Sequence, residues 1–240
     1  TMKTDMKKTI LSTLCFLLVS CFMFFADAGT RIVVLGSSTA AGAGVSDSNR
    51  AWVNQYRTYL QSIDPTNTVT NLAKGGYTTC AIMPTGTDPY NTGNHILEVD
   101  TERNITKALS LSPNAIIINM PTNDVSNGIP VATQMKHFAT IIDLAKAAGV
   151  KVWITTSQPH NFGEKYDGPY NEEHQPDIWK QAARDQFKEL TDSILNKYGE
   201  YALDFYTPIA TEDGYSFIRP EYDSGDGVHL NDAAHDILFN

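Results

Sequence analysis

Cysteine is scarce in this chain, with three in 240 residues, at Cys15, Cys21 and Cys80. Two of them fall in the first 28 residues, so a chain relieved of that segment keeps only Cys80 and can form no internal disulfide. Cys80 reads as a buried small apolar residue rather than a reactive one. Basic residues are also few. Eighteen Lys and Arg stand against 27 Asp and Glu, a net charge of −9. That argues against a nucleic-acid partner, which wants a basic face. His, Cys and carboxylates nowhere gather at metal-ligand spacing, so no metal or cofactor is expected. Internal repeats, low-complexity tracts and linkers are lacking as well. What is present, 42% apolar and 19% charged residues, suits one large domain around a substantial core.

The longest apolar run lies at the start. Lys7 and Lys8 precede "TILSTLCFLLVSCFMFFADAG", which ends in the small residues Ala26 and Ala28. Basic, apolar and small, in that order, is the pattern of a secretory signal, and the run is short for a membrane span. Residues 1–28 are expected to be a signal peptide and residues 29–240 the mature domain, exported and without a membrane span. "LVSC" at 18–21 also fits a lipoprotein processing site with a lipid anchor on Cys21. The bulky "FMFF" that follows favours cleavage after Ala28. The mature chain would carry 15 basic and 25 acidic residues, net −10.

From Arg31 onward, short apolar runs alternate with helical periodicity. Strands are expected at 31–35, 68–72, 115–119, 150–155 and 201–205. Helices are expected at 51–63, 101–111, 130–148, 176–198 and 231–239. "AIIIN" at 115–119 is apolar throughout, as a strand covered on both faces should be. This alternation predicts a parallel sheet with helices on both sides. The connections at 74–94, 157–175 and 206–227 are long enough to form a binding rim.

"IVVLGSSTAAGAG", from Ile32 to Gly44, is a strand that empties into a turn without bulk. A phosphate loop would end in GKS or GKT, and no Lys lies between Arg31 and Arg50. A dinucleotide fingerprint lacks its third glycine, since position 47 is Asp. The G-x-S-x-G elbow has the wrong spacing. Function in a parallel sheet collects beyond the carboxyl ends of the strands. There the chain delivers Ser37 and Ser38, then Gly75 and Gly76, then Asn123 and Asp124. Near the C-terminus, "DSGDGVHLND" sets Asp226 three residues before His229, close enough for a carboxylate to hold one ring nitrogen and leave the other as a base. A hydroxyl, a base, an acid to orient it and donors for an oxyanion are the parts of serine acyl transfer.

This set resembles the SGNH hydrolases, also called GDSL-type esterases and lipases. Their first block, Gly-Asp-Ser, is similar to Gly36-Ser37-Ser38, and the resemblance makes Ser38 the nucleophile, with Ser37 its rival. The second block matches Asn71 and Gly76. The third, Gly-x-Asn-Asp, matches Pro121-Thr122-Asn123-Asp124, and the fifth, Asp-x-x-His, matches Asp226 and His229. Ser37 replaces an Asp and Pro121 a Gly, which touches the geometry of the turns rather than a chemical group. The resemblance implies an α/β fold, a flavodoxin-like three-layer α/β/α sandwich with a parallel sheet of about five strands. It implies catalysis by Ser38, Asp226 and His229, and an oxyanion hole of Ser38, Gly76 and Asn123, with Gly75 the fallback. Asp124 is expected to tie loops together.

A second Asp-x-x-His, Asp232 and His235, falls inside the last expected helix and reads as a decoy. His95, His137, His160 and His174 are expected in loops or on the surface. His160, Phe162, Tyr166 and Tyr170 fall in the loop after the fourth strand, near the expected mouth. The function expected is a secreted serine esterase that removes short acyl groups, acetyl above all, from carbohydrate or another small ester substrate. A lysophospholipase or thioesterase of the same family is the alternative enzyme. A non-catalytic carbohydrate-binding protein is the alternative from another class.

Overall fold

The computed structural model describes residues 29–120, 122–166, 168 and 177–240. The first 28 residues, with Cys21 and the cleavage site after Ala28, lie outside the described residues, as do Pro121, Tyr170 and His174. Five parallel strands form the sheet: β1 (Arg31–Gly36), β2 (Thr68–Asn71), β5 (Ala115–Asn119), β6 (Lys151–Thr155) and β7 (Ala202–Leu203), in the spatial order β2-β1-β5-β6-β7. A two-residue hairpin, β3 (Tyr90–Asn91) with β4 (Ile96–Leu97), stands apart.

Alternation along each strand explains the layers. Val33 and Leu35 of β1, with Ile116 and Ile118 of β5, face one side. There they meet α3 (Ile105–Ser110), α5 (Val131–Ala147) and α6 (Ile178–Tyr198) through Ile105, Phe138, Ile141 and Leu190. Ile32, Val34 and Ile117 face the other side. They meet α2 (Trp52–Ile63) and α7 (Asp232–Phe239) through Trp52, Val53, Ala234 and Leu238. The expected three-layer α/β/α sandwich is what the chain forms. No described helix is long and apolar enough to cross a membrane.

The order of strands fixes where a site can form. After β1 the chain adds β2 on one side, then crosses to add β5 on the other. The connections leaving β1 and β5 therefore diverge and open a crevice at their carboxyl ends. Two short helices start there, α1 (Ser38–Ala41) and α4 (Asn123–Ser126).

Several expected boundaries shift for local reasons. The helix expected from Thr101 begins at Ile105, because the Asn104 side chain caps it by accepting from the Lys107 N–H at 2.9 Å. The strand expected at 201–205 shrinks to two residues, because the Asp204 carboxylate accepts from the Tyr206 and Thr207 N–H groups and turns the chain. Cys80 is buried, and burial pushes its thiol up to about 11, an inert group.

His235 is fully buried between α7 and the start of α2, where its Nδ1 accepts from the Trp52 N–H at 3.2 Å. Burial pulls its pKa down to about 4. A base depressed in the folded state leaves the unfolded chain holding the extra proton. Its contribution to stability is therefore complete above about pH 6.5 and lost as the pH falls towards 4. The expected loss on acidification is about 2–3 kcal/mol from this residue. His160, also drawn down to about 4 by burial, acts in the same window, while Asp124, pushed up to about 6, acts against it. Urea unfolding at pH 7.5 and pH 4.5 should therefore show a smaller pH-dependent loss for His235→Gln than for the parent. An equal loss in both would refute the assignment.

Candidate active site

β1 ends on a turn that only glycine permits. A Cβ on Gly36 would lie 2.6 Å from the Ala40 Cβ and 2.9 Å from the Asn119 carbonyl. The two serines that follow have separate fates. Ser37 caps α1, is fully buried, and its Oγ accepts from Asn123 Nδ2 at 2.6 Å. Ser38 is the first residue of α1, and among the described residues its hydroxyl makes no hydrogen bond. The hydroxyl of Ser37 is thus occupied in structure, and that of Ser38 is available.

Around Ser38, backbone donors are left over. Among the described residues the N–H groups of Ser38, Gly75 and Gly76 have no backbone acceptor. Gly76 sits at φ +82°, in the left-handed region, which turns the loop after β2 across the crevice. A Cβ on Gly75 would come within 3.9 Å of the Ser38 Cβ. Asn123, the first residue of α4, bridges three segments. Its Nδ2 donates to Ser37 Oγ and, at 2.9 Å, to the Tyr77 carbonyl. Both amide hydrogens are thus engaged at rest, so donation to an oxyanion requires the amide to exchange the Ser37 hydroxyl for the substrate oxygen. Asp124 ties the loops as expected. Its buried carboxylate accepts from the Thr79 N–H at 3.0 Å and from Thr79 Oγ1 at 2.5 Å. Burial raises its pKa to about 6 although the Thr79 bonds lower it. Thr79 Oγ1 in turn contacts His137 Nδ1 at 2.7 Å. His137 is therefore a half-buried helical residue bound to a loop, not the loop or surface residue the sequence suggests.

His229, the candidate base, lies on the turn before α7. Asp226 Oδ2 contacts His229 Nδ1 at 2.6 Å, while its Oδ1 accepts from the His229 and Val228 N–H groups at 2.8 and 2.9 Å. Burial alone would raise the Asp226 carboxyl. The three bonds outweigh it and hold its pKa at about 2. In a neutral imidazole, a carboxylate on Nδ1 places the ring proton there and leaves the Nε2 lone pair open.

Two contacts bring this turn against the Ser37–Ser38 turn. Gly44 packs so closely that a Cβ on it would meet the Leu230 carbonyl at 2.3 Å and the His229 Cβ at 3.0 Å. Gln158, in the loop after β6, is buried between them. Its Oε1 accepts from Thr39 Oγ1 and its Nε2 donates to the Val228 carbonyl, both at 2.7 Å. One side chain thus fixes the residue after Ser38 to the residue before His229. The sequence gives only a faint signal for it, a polar residue three positions beyond a strand and preceded by other polar residues.

The structure brings Ser38, Gly76, Asn123, Asp226 and His229 to one end of the sheet, and leaves the second Asp-x-x-His out. Asp232 accepts from the Ser46 N–H at 2.8 Å and approaches Arg50 at 3.8 Å, and His235 is buried under Trp52. The family model described as GDSL-like lipase/acylhydrolase matches residues 34–237. The chain belongs to that family. It is an ester hydrolase by that membership. Among similar solved structures, a GDSL-like lipase from Bacteroides thetaiotaomicron VPI-5482 aligns with TM-score 0.56 and 18% identity, over 88% of this chain and 84% of that one. A lipase/acylhydrolase from Enterococcus faecalis gives 0.57 and 17%, over 88% and 91%. A psychrotrophic esterase from Pseudoalteromonas sp., in a structure inhibited by monoethylphosphonate, gives 0.55 and 15%, over 88% and 92%. No curated protein sequence matches this GDSL-like chain.

Two open clefts flank the site of this GDSL-like hydrolase. One, of about 440 Å³, runs from Gly76 and Tyr77 to Glu98 and Asp100. The other, also about 440 Å³, runs from Glu164 and Tyr166 to Asp226 and Gly227. A cavity of about 480 Å³ between α2, α7 and the sheet is apolar, but it lines up with Ile32 and Ile117 and holds none of the site residues.

Proposed function

We propose that this chain is an exported serine esterase that removes short acyl groups, acetyl above all, from carbohydrate. The observation that carries the catalytic part is the Asp226–His229 pair, its Nε2 free, held against the turn that bears an unengaged Ser38 hydroxyl. In the first step Ser38 Oγ attacks the acyl carbon and its proton passes to His229 Nε2. The negative charge collects on the former carbonyl oxygen, facing the Ser38 and Gly76 N–H groups and the Asn123 amide. The carbon–oxygen bond to the sugar breaks as His229 returns the proton to the leaving alkoxide. Water, deprotonated by His229, then attacks the acyl-Ser38 ester, and a carboxylic acid and free serine result. Asp226 stays ionised throughout and holds the imidazole in its working tautomer.

The substrate class rests on the surroundings. Both flanking clefts are open and carry acidic and hydroxyl groups, which suit sugar hydroxyls better than a long acyl chain. The acidic surface disfavours attraction to anionic membranes. Export rests on the first 28 residues of the sequence. A panel of aryl esters of rising acyl length, run beside acetylated glycans, tests the proposal. Acetate esters should turn over fastest and acetylated glycans should release acetate. A preference for octanoate, with no acetate released from any glycan, would move the enzyme to lipid esters.

Asn123→Ala should lower kcat by roughly 10²–10³-fold with little change in KM, the effect of losing one oxyanion donor. Steady-state kinetics on an aryl acetate decides it. A change confined to KM would mean that the amide serves ground-state binding.

A further inference from the structure

We propose that His160, Phe162 and Trp179 form a subsite for a neutral sugar ring on the leaving-group side of the scissile ester. The proposal rests on the esterase reading above and adds the surface that selects its alcohol.

The three rings form a row that starts at the catalytic turn. The chain on either side of His160 is bonded to that turn, because Gln158 Nε2 donates to the Val228 carbonyl and the Asn161 N–H donates to the Gly227 carbonyl at 2.8 Å. His160 thus lies beside Asp226 and His229. Its ring centroid is 4.2 Å from that of Phe162, and Phe162 is 6.2 Å from Trp179 at a steep angle. Trp179, at the start of α6, is 70% exposed. An indole so exposed, continuous with an active-site turn, is an unfilled contact rather than core.

Phe162 adds a second observation. Its φ of +52° lies in the left-handed region, a strained conformation for a bulky residue. Its N–H donates to His160 Nδ1 at 2.8 Å, and its ring stacks near-parallel on buried Phe187. The loop is therefore over-determined in a costly shape that sets Phe162 between the other two rings. His160 gains a defined role from the same bond. With Nδ1 accepting, the neutral ring carries its proton on Nε2, a donor for a sugar hydroxyl. Burial keeps it neutral at neutral pH.

The chemistry of the row selects the occupant. Aromatic faces take the C–H faces of a pyranose, while the polar edge meets its hydroxyls. An acyl chain would need enclosure, which a 70% exposed indole does not supply. Glu164 is paired with Arg184 at 2.5 Å, and Asp223 and Asp226 outnumber the one lysine of the same cleft, Lys165, so the charge there favours a neutral sugar over an anionic one.

The test compares the parent, Trp179→Ala, Trp179→Phe and, as a neighbouring control, Ile178→Ala, whose side chain is 88% exposed. The reading is the ratio of kcat/KM on an acetylated neutral oligosaccharide to kcat/KM on an aryl acetate. Trp179→Ala should lower this ratio by about tenfold, mainly through KM, the scale of one aromatic contact. Trp179→Phe should recover part of it, and Ile178→Ala should keep the parent ratio. Calorimetry of the same oligosaccharide without acetyl groups, on Ser38→Ala, should show weak binding that Trp179→Ala in that background loses. An unchanged ratio in Trp179→Ala overturns the subsite while leaving the esterase reading intact. So does a matching loss in Ile178→Ala or a selective loss on aryl octanoate. A parent enzyme that cleaves aryl acetate but neither binds nor deacetylates any glycan overturns the carbohydrate reading and the subsite together.

Discussion

Ser38→Ala is expected to lower kcat on an aryl acetate by roughly 10⁴- to 10⁶-fold and to abolish covalent labelling by a fluorophosphonate. The size follows from the chemistry. Without the hydroxyl no acyl-enzyme forms, and water must attack directly with only the oxyanion donors to help. The neighbouring serine provides the control. Ser37 Oγ is buried and accepts from Asn123, so its loss should loosen the amide, not remove the nucleophile. Ser37→Ala should therefore still be labelled, with a reduced rate. Peptide mapping of the labelled protein separates the two. Label on Ser37, or turnover retained in Ser38→Ala, would overturn the assignment.

His229→Ala should cost roughly 10⁴-fold or more in kcat, because the Ser38 hydroxyl then loses its proton acceptor. His235→Ala should leave kcat close to the parent value and instead lower the unfolding midpoint, because it empties a fully buried position beneath Trp52. The two histidines sit six residues apart in similar Asp-x-x-His contexts, so the pair separates motif from mechanism. Equal losses of kcat at both, in protein of undiminished stability, would mean that the dyad is misassigned.

The layered fold was legible because its central strands are unambiguous. "AIIIN" at 115–119 is a strand with the expected bounds, since every side chain in it is buried and no polar face competes. The edge was harder. β7 keeps two of five expected residues, because an edge strand needs few bonds and Asp204 offers a turn instead. The residues of the candidate site were legible as strand ends and a spaced Asp-x-x-His. Their support was not. Gln158 acts through two partners more than sixty residues away on either side, and no local pattern announces such a bridge. His137 reads as surface because its partner, Thr79, lies on a different loop, 58 residues away. Trp179 is one of several aromatics in the second half of the chain. Only its exposure, a property of the folded surface, sets it apart.

The close approach of Gly44 to Leu230 has a consequence for when the enzyme first becomes active. The hydroxyl of Ser38 leaves the ribosome roughly 190 residues before the imidazole of His229. Its turn also waits for its final supports, since Ser46 and Arg50 are held by Asp232 and Asp236. A nascent chain therefore carries Ser38 without His229, on a half-braced turn. Under the proposed roles of Ser38 and His229, hydrolytic power arrives in a single late event, the docking of the last helix. If the chain is exported unfolded, as proposed above, that event falls on the far side of the membrane, and the esters of the compartment that made it never meet a working site.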